Sequence, residues 1–387
     1  MAQLGPSDVV FAEATPEQQR LSWELNGVSW AAPMSVPNYI ARETHLSQQD
    51  LSRDGGCKYW VLHLKSDPAT IVASCETTRK TVLIARRAGD GISPPSVRRG
   101  VGYSIASVYT NPDYRRRGMA ALLLNKVQKF MDGDGADCSA LYSDIGKHYY
   151  ANLGWAVFPS DQATLHLLPP APEEPGPNSN LEPFVPSHPD ATRPLVMADL
   201  PPLCAADEAA LEARFNALPA KGGDDNDGEG ATHVAFLPSF EQISWQLARE
   251  EFMTRAMFGA SVERRGAMTA DGKAWVCWDH DWREKKLKVM RLVTIGGGEA
   301  ADRVGDITAL LEAALAEASA WGLQKVLVWN PDAETTVACK NVGNAHEDRV
   351  KLILDERLNG SIPSLRWKDG EDTRDTVWVD NQYYCWC

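Results

Sequence analysis

Apolar residues recur along this chain at a spacing of two in some stretches and of three to four in others, and the changes of period mark out its elements. Residues 8–14, 58–65, 70–86 and 100–110 read as strands, with helices near 16–24 and 116–132 and an irregular or helical stretch at 37–53. The run SIASVYT, ending at Thr110, alternates small or polar residues with β-branched and aromatic ones, as a strand with one buried face does. Asn111, Pro112 and Asp113 stop it, because proline cannot continue a ladder and Asx side chains favour turns. Leu122, Leu123, Val127 and Phe130 then fall at helical spacing. A strand at 139–144, a helix at 146–153 and a strand at 156–167 complete a first α+β unit.

The second half repeats that order. Residues 273–282 and 286–295 read as strands, three glycines at 296–298 lead into a helix at 302–321, and GLQKVLVWN at 322–330 returns as a strand. The closing VWVDNQYYCWC reads as a strand reaching Cys387. Between the halves, residues 169–194 hold nine prolines, which bar a helix or a central strand and predict an extended connector. A length of 387 residues favours two domains, here 1–168 and 195–387 with 169–194 between them.

The net charge of −13 is shared unevenly. Residues 1–170 carry 17 Lys and Arg against 16 Asp and Glu, and the remainder 22 against 36. So acidic a chain repels nucleic acid, and no such partner is expected. The acidic half would attract a cationic amine, or simply form a solvated surface. Eight cysteines without metal-ligand or disulfide spacing predict reduced thiols. Neither a signal peptide nor an apolar run of ~18 residues is present, so a cytoplasmic protein with no membrane partner is expected. No metal is expected either: Asp279-His280-Asp281 sits where a strand turns, and the acidic stretch 221–231 lacks EF-hand spacing.

The chemistry concentrates at Arg115-Arg116-Arg117-Gly118-Met119-Ala120-Ala121. The first turn of a helix has amides without internal partners and the positive end of the dipole. Three arginines there are unfavourable by roughly 0.3–1 kcal/mol each when exposed, until an anion binds amides and guanidiniums together. Gly118 lets a bulky anion approach the backbone, and a pyrophosphate suits the size of the cradle.

These residues resemble the GNAT superfamily of acetyl-CoA-dependent N-acetyltransferases, whose (Gln/Arg)-x-x-Gly-x-(Gly/Ala) signature is matched by Arg115-x-x-Gly118-x-Ala120. The resemblance implies an α+β fold, a mixed and mostly antiparallel sheet with flanking helices, followed by a second, degenerate GNAT-like domain without the signature. It implies that Arg115 to Ala121 hold the pyrophosphate of acetyl-CoA and that Val108, Tyr109 and Thr110 offer backbone partners to pantetheine. It also implies that Tyr150, in SDIGKHYYANLGW, protonates the leaving thiolate. A phenol, with a pKa of about 10 against about 8.5 for a thiol, is protonated at neutral pH and suited to that task. Without the arginine loop, Tyr149 and Tyr150 would read as packing residues.

Within the superfamily the chain looks most like fungal lysine acetyltransferases that modify the side-chain amine of free lysine. The carriers are Ser74-Cys75-Glu76-Thr77, IASVYTNPDYRRRGMA, SDIGKHYYANLGW and SIPSLRW at 361–367. The Arg115-Arg116 pair replaces the Arg-Gly common in that family. A small-molecule amine is therefore the expected acceptor, with a secondary-metabolite amine, a protein amine, or a non-catalytic acyl-CoA-binding sensor as alternatives. Glu76 is a candidate for amine recognition or for a water-relayed base, because ionised carboxylates are uncommon inside strands. An ion pair with Arg79 or Lys80 is its competing reading. The terminal carboxylate of Cys387 is a further candidate base by the same resemblance, against simple sheet completion. Oligomeric state stays open.

Overall fold

A computed structural model describes residues 5–86, 93–169, 183–219, 231–296 and 298–386. The acidic stretch at 221–230, most of the proline connector and Cys387 lie outside the described residues.

The chain opens with β1 (Val9–Glu13), α1 (Pro16–Trp30) and α2 (Val36–Leu46). Thr15 and Gln18 cap α1 reciprocally, with Pro16 where its missing N–H costs nothing, and Ser35 caps α2. Then come β2 (Cys57–Leu64), the long β3 (Ile71–Arg86) and β4 (Ser96–Thr110). These lead to α3 (Met119–Gly133), β5 (Cys138–Ser143) and α4 (His148–Ala151). The expected strand at 156–167 is two strands, β6 (Ala156–Val157) and β7 (Asp161–Leu167). The helix expected from 146 to 153 is only one turn, because Gly146 takes a positive φ of 83° and delays its start.

The second half runs through β8 (Thr192–Leu195), α5 (Leu200–Asn216), β9 (Thr232–Phe236) and α6 (Phe240–Phe258). Next are β10 (Gly266–Thr269), β11 (Ala274–Asp281), β12 (Lys286–Thr294) and α7 (Ala300–Ala320). It finishes with β13 (Lys325–Trp329), α8 (Ala333–Ala345), β14 (Val350–Glu356), β15 (Ile362–Trp367) and β16 (Thr376–Trp378). The strand expected to reach the last residue therefore stops at Trp378. Asp380, at φ 52°, turns the chain and is held by Arg214 and Arg291, and residues 383–385 form a short 3-10 helix.

Two mixed sheets result. The first runs β1-β2-β3-β4-β5-β15-β6, with β9 extending the edge of β3 that β2 leaves and β16 pairing β9. The second runs β14-β7-β13-β12-β11-β10-β8. Each contains the same unit: an antiparallel hairpin (β3–β4, β11–β12), a helix (α3, α7), and a strand returning parallel to the hairpin (β5, β13). The strand beyond the parallel one is exchanged between halves, β15 lying beside β5 and β7 beside β13. Arg366 of β15 holds Asp132 of α3 through two bonds of 2.8 and 2.7 Å, and Ile362, Leu365 and Trp367 are buried. Among the described residues no helix is long and apolar enough to cross a membrane.

Candidate functional site

The end of β4 is tied down before the arginine loop begins. Asn111 donates to the Ile71 carbonyl at 3.1 Å and its own side chain accepts from Asp113 N. Arg116 and Gly118 then take positive φ values of 60° and 74°, bracketing Arg117 in the kind of turn that gathers amide groups into an anion-binding concavity. Gly118 caps α3 without a side-chain bond, and no atom lies near where a Cβ would sit. The first helical bond runs from Leu122 N to Gly118 O, leaving the amides of Met119, Ala120 and Ala121 without helical acceptors. All three arginines are exposed. Arg115 folds back, donating to the Thr110 carbonyl at 3.1 Å and lying over the Tyr109 ring, while Arg117 lies over Tyr114.

Above the loop, the sheet opens. The β4–β5 ladder ends at Ile105–Leu141, although β4 continues to Thr110. Ser107, at φ 54°, sits in an irregularity where the register with β3 shifts between Ser74 and Glu76. Such a bulge bends its strand, here away from β5. Val108, Tyr109 and Thr110 consequently turn one backbone edge to a gap that an extended amide chain can fill.

Glu76 stands at that bulge. It pairs directly with Tyr59, so both project from the face opposite α3, where Trp60 packs. Ser107 Oγ donates to Glu76 Oε1 at 2.5 Å. Burial pushes the Glu76 carboxyl up to about 7, the Glu43 carboxylate adds to the shift, and the Ser107 bond and Arg42 oppose it. Lys80 Nζ donates to the Cys385 carbonyl at 3.1 Å, and the cation that acts on the Glu76 carboxyl is Arg42. Burial thus favours the neutral form of this carboxyl more than for an exposed glutamate.

The surroundings of Glu76 come from residues the sequence did not single out. Arg42 and Glu43, buried on α2, pair with each other, and the Arg42 guanidinium lies 4.7 Å over the Tyr39 ring. Burial, with Glu43 and Glu76 adding, raises the Tyr39 phenol; burial first also raises Tyr59 and the Cys57 and Cys75 thiols, so all stay neutral. Tyr39, Arg42, Glu43 and Leu46 share one buried side of α2, and an Arg-Glu pair at the positions of a helix's buried stripe was the signal available in the sequence.

Tyr150 approaches from the other face. It is half-buried, its ring set edge-on to Tyr149 at 5.1 Å, and it packs in the cluster that includes Val108, Leu122, Leu123 and Trp155 beside α3. The gap between β4 and β5 therefore has the carboxyl of Glu76 on one side of the sheet and Tyr150 on the other. Cys387, the further base candidate, lies outside the described residues.

Residues 28–155 match the acetyltransferase (GNAT) family, and residues 175–387 match the LYC1 GNAT-like C-terminal domain. The chain belongs to the GNAT acetyltransferases. Among solved structures it is similar to GCN5-related N-acetyltransferases from Kribbella flavida (17% identity, 94% of this chain and 72% of that one, TM-score 0.50) and Anabaena variabilis (12%, 93% and 73%, 0.52). A probable N-acyltransferase from Enterococcus faecalis is similar at 9% identity, 94% and 73% coverage and TM-score 0.53. At these identities the likeness concerns the fold. No curated protein matches the chain in sequence.

The second GNAT-like half has the same gap, with different contents. Its β12–β13 ladder ends at Lys288–Leu327 while β12 runs on to Thr294. There the Gln382 side chain accepts from Leu292 N at 3.0 Å, lying along the free edge of β12. Glu299 and Asp302 occupy the start of α7, where they satisfy the dipole and repel phosphate. Asp279-His280-Asp281 is structural: burial opposes charge on His280, but Glu250 and Glu317 hold its pKa up to about 9. Among the described residues no group of His, Cys, Asp or Glu could hold a metal.

Proposed function

We propose that this GNAT protein is an N-acetyltransferase that moves acetyl from acetyl-CoA to a primary amine of a small molecule, the side-chain amine of free lysine being the leading acceptor. The site belongs to residues 1–168, and residues 195–387 shape the acceptor side. The single observation that carries the reading is the Glu76 carboxyl, held by Ser107 at the bulge where β4 leaves β5 and its open strand edge begins.

An alkylammonium, with a pKa near 10.4, must lose a proton before its nitrogen can attack a thioester. Glu76 accepts that proton, directly or through a water, and a pKa near the working pH suits a general base. The amine nitrogen then forms its bond to the acetyl carbonyl carbon, the carbon–sulfur bond breaks, and Tyr150 gives its phenolic proton to the departing thiolate. Arg115, Arg116, Arg117 and the amides from Gly118 to Ala121 hold the pyrophosphate, and the open edge of Val108, Tyr109 and Thr110 aligns the arm of acetyl-CoA.

Tyr150→Phe is expected to keep acetyl-CoA affinity and lower turnover by roughly 10- to 1,000-fold, as loss of one general acid does. Removing a hydroxyl from a half-buried ring leaves its packing in place. Steady-state kinetics beside calorimetric CoA binding check this. Equal turnover in mutant and wild type rejects the role and passes it to Tyr149 or His148.

A further inference from the structure

Arg357 is a charge without a counterpart. It follows β14, and the Nε and both terminal nitrogens of its guanidinium are buried with no hydrogen-bond acceptor among the described residues. The guanidinium lies 3.6 Å from the centroid of the Trp329 ring, and Trp329 in turn meets Tyr142 at 5.6 Å and Tyr383 at 4.4 Å. Burial lowers its pKa to about 10, and Tyr142, Tyr383, Asp161 and Asp355 are near enough to be felt, though neither aspartate pairs with it. An unpaired buried cation is costly unless something binds to it. A flat guanidinium seated on an indole keeps its N–H donors in one plane, the geometry that a carboxylate matches with two bonds.

Its place in the fold connects it to Glu76. Glu76 pairs with Ala106 on β4, and one step beyond the last β4–β5 pair, Ile105–Leu141, the residue level with Ala106 is Tyr142. Glu76 and Tyr142 thus project from the same face of the first sheet, on β3 and β5 with β4 between them. Tyr142 contacts Trp329, on which Arg357 rests. Trp329 also meets Tyr383, whose ring stacks on Trp386 at 5.7 Å, and Arg249 of α6 lies over Trp386.

We infer that Arg357 is the carboxylate-recognition residue of the acceptor site, so that the acceptor is an amino acid whose reacting amine and carboxylate stand several methylenes apart. This rests on the reading of Glu76 as the base and adds the group that selects the other end of the molecule. The N–H groups are covered in this structure, so a bound carboxylate requires neighbouring side chains to give way.

The test compares 6-aminohexanoate and L-lysine with pentylamine and 1,5-diaminopentane, pairs that differ by one carboxylate, with acetyl-CoA as donor. Wild type is expected to favour the carboxylated member of each pair by at least tenfold in kcat/KM. Arg357→Met should raise KM for those acceptors by at least tenfold, leave pentylamine and 1,5-diaminopentane unchanged, and leave CoA affinity intact. Arg357→Lys should restore part of the preference. Because the native guanidinium has no hydrogen-bond acceptor to lose and a methionine side chain can keep the contact with Trp329, Arg357→Met should melt at the same temperature as wild type or higher, whereas an arginine held in a structural ion pair would lower it. Calorimetric binding of the four acceptors to the CoA complex reads the same preference without turnover, so a failed reaction and a failed subsite give different results. Equal use or binding of the paired acceptors by wild type, or an equal loss for both in the variant, would overturn the assignment.

Discussion

Glu76→Gln is expected to lower kcat/KM for the amine by roughly 10²- to 10⁴-fold, the range for removing a positioned base, while acetyl-CoA affinity stays within a factor of two or three. The amide keeps the shape and accepts the Ser107 hydroxyl as the carboxyl oxygen does, so the fold has no reason to change. The sign of the pH dependence follows from burial. Since the carboxyl is pushed up to about 7, it is protonated and idle below that pH, and wild-type kcat/KM should fall as pH drops through 7. That limb should vanish in the residual activity of Glu76→Gln. Glu43→Gln provides the complementary shift: losing the neighbouring carboxylate removes a cause of the raised pKa and moves the limb to lower pH. A mutant at position 76 with wild-type turnover and an unchanged limb would exclude the carboxyl as base.

Cutting the chain in the proline connector is expected to destroy both halves. Residues 1–168 would lack β15 between β5 and β6, and residues 195–387 would lack β7 between β13 and β14. Each missing strand is internal, so its loss leaves two unpaired edges and an open core. From β15 alone the first half would lose Ile362, Leu365 and Trp367, all buried, at about 1.5–3 kcal/mol each. That is on the scale of the whole net stability of a domain, about 5–15 kcal/mol. Circular dichroism melts should show one cooperative transition for the full chain and none for either fragment. A cooperative melt and full-strength CoA binding by residues 1–168 alone would contradict this.

The sequence and the structure agree where local chemistry decides and part where partners are distant. The loop at Arg115–Gly118 was legible because glycine, arginines and a proline-bearing turn are local requirements. The repeated hairpin–helix–strand unit was legible because each element carries its own period. The exchange of β7 and β15 was not, since a strand pattern says which face is buried and not which neighbour buries it. SIPSLRW alternates as well beside β5 as it would beside β13. The 156–167 stretch read as one strand, yet Pro159 and Ser160 divide it at the crossing from one sheet to the other. The C-terminal aromatics looked like a strand because nothing nearby revealed Arg214 and Arg291, which hold the Asp380 turn. The environment of Glu76 was hidden for the same reason, as Glu43, Tyr59 and Ser107 reach it from three separate elements.

The measurement that bears most directly on the central claim is release of free thiol from acetyl-CoA by the purified full-length protein against a panel of primary amines, across pH 6 to 9. The account predicts thiol release that depends on the amine and rises through pH 7 as Glu76 ionises, with stoichiometric N-acetylated product by mass spectrometry. Tight CoA binding with no amine-dependent thiol release at any pH would contradict it and leave a protein that binds acyl-CoA without transferring the acyl group.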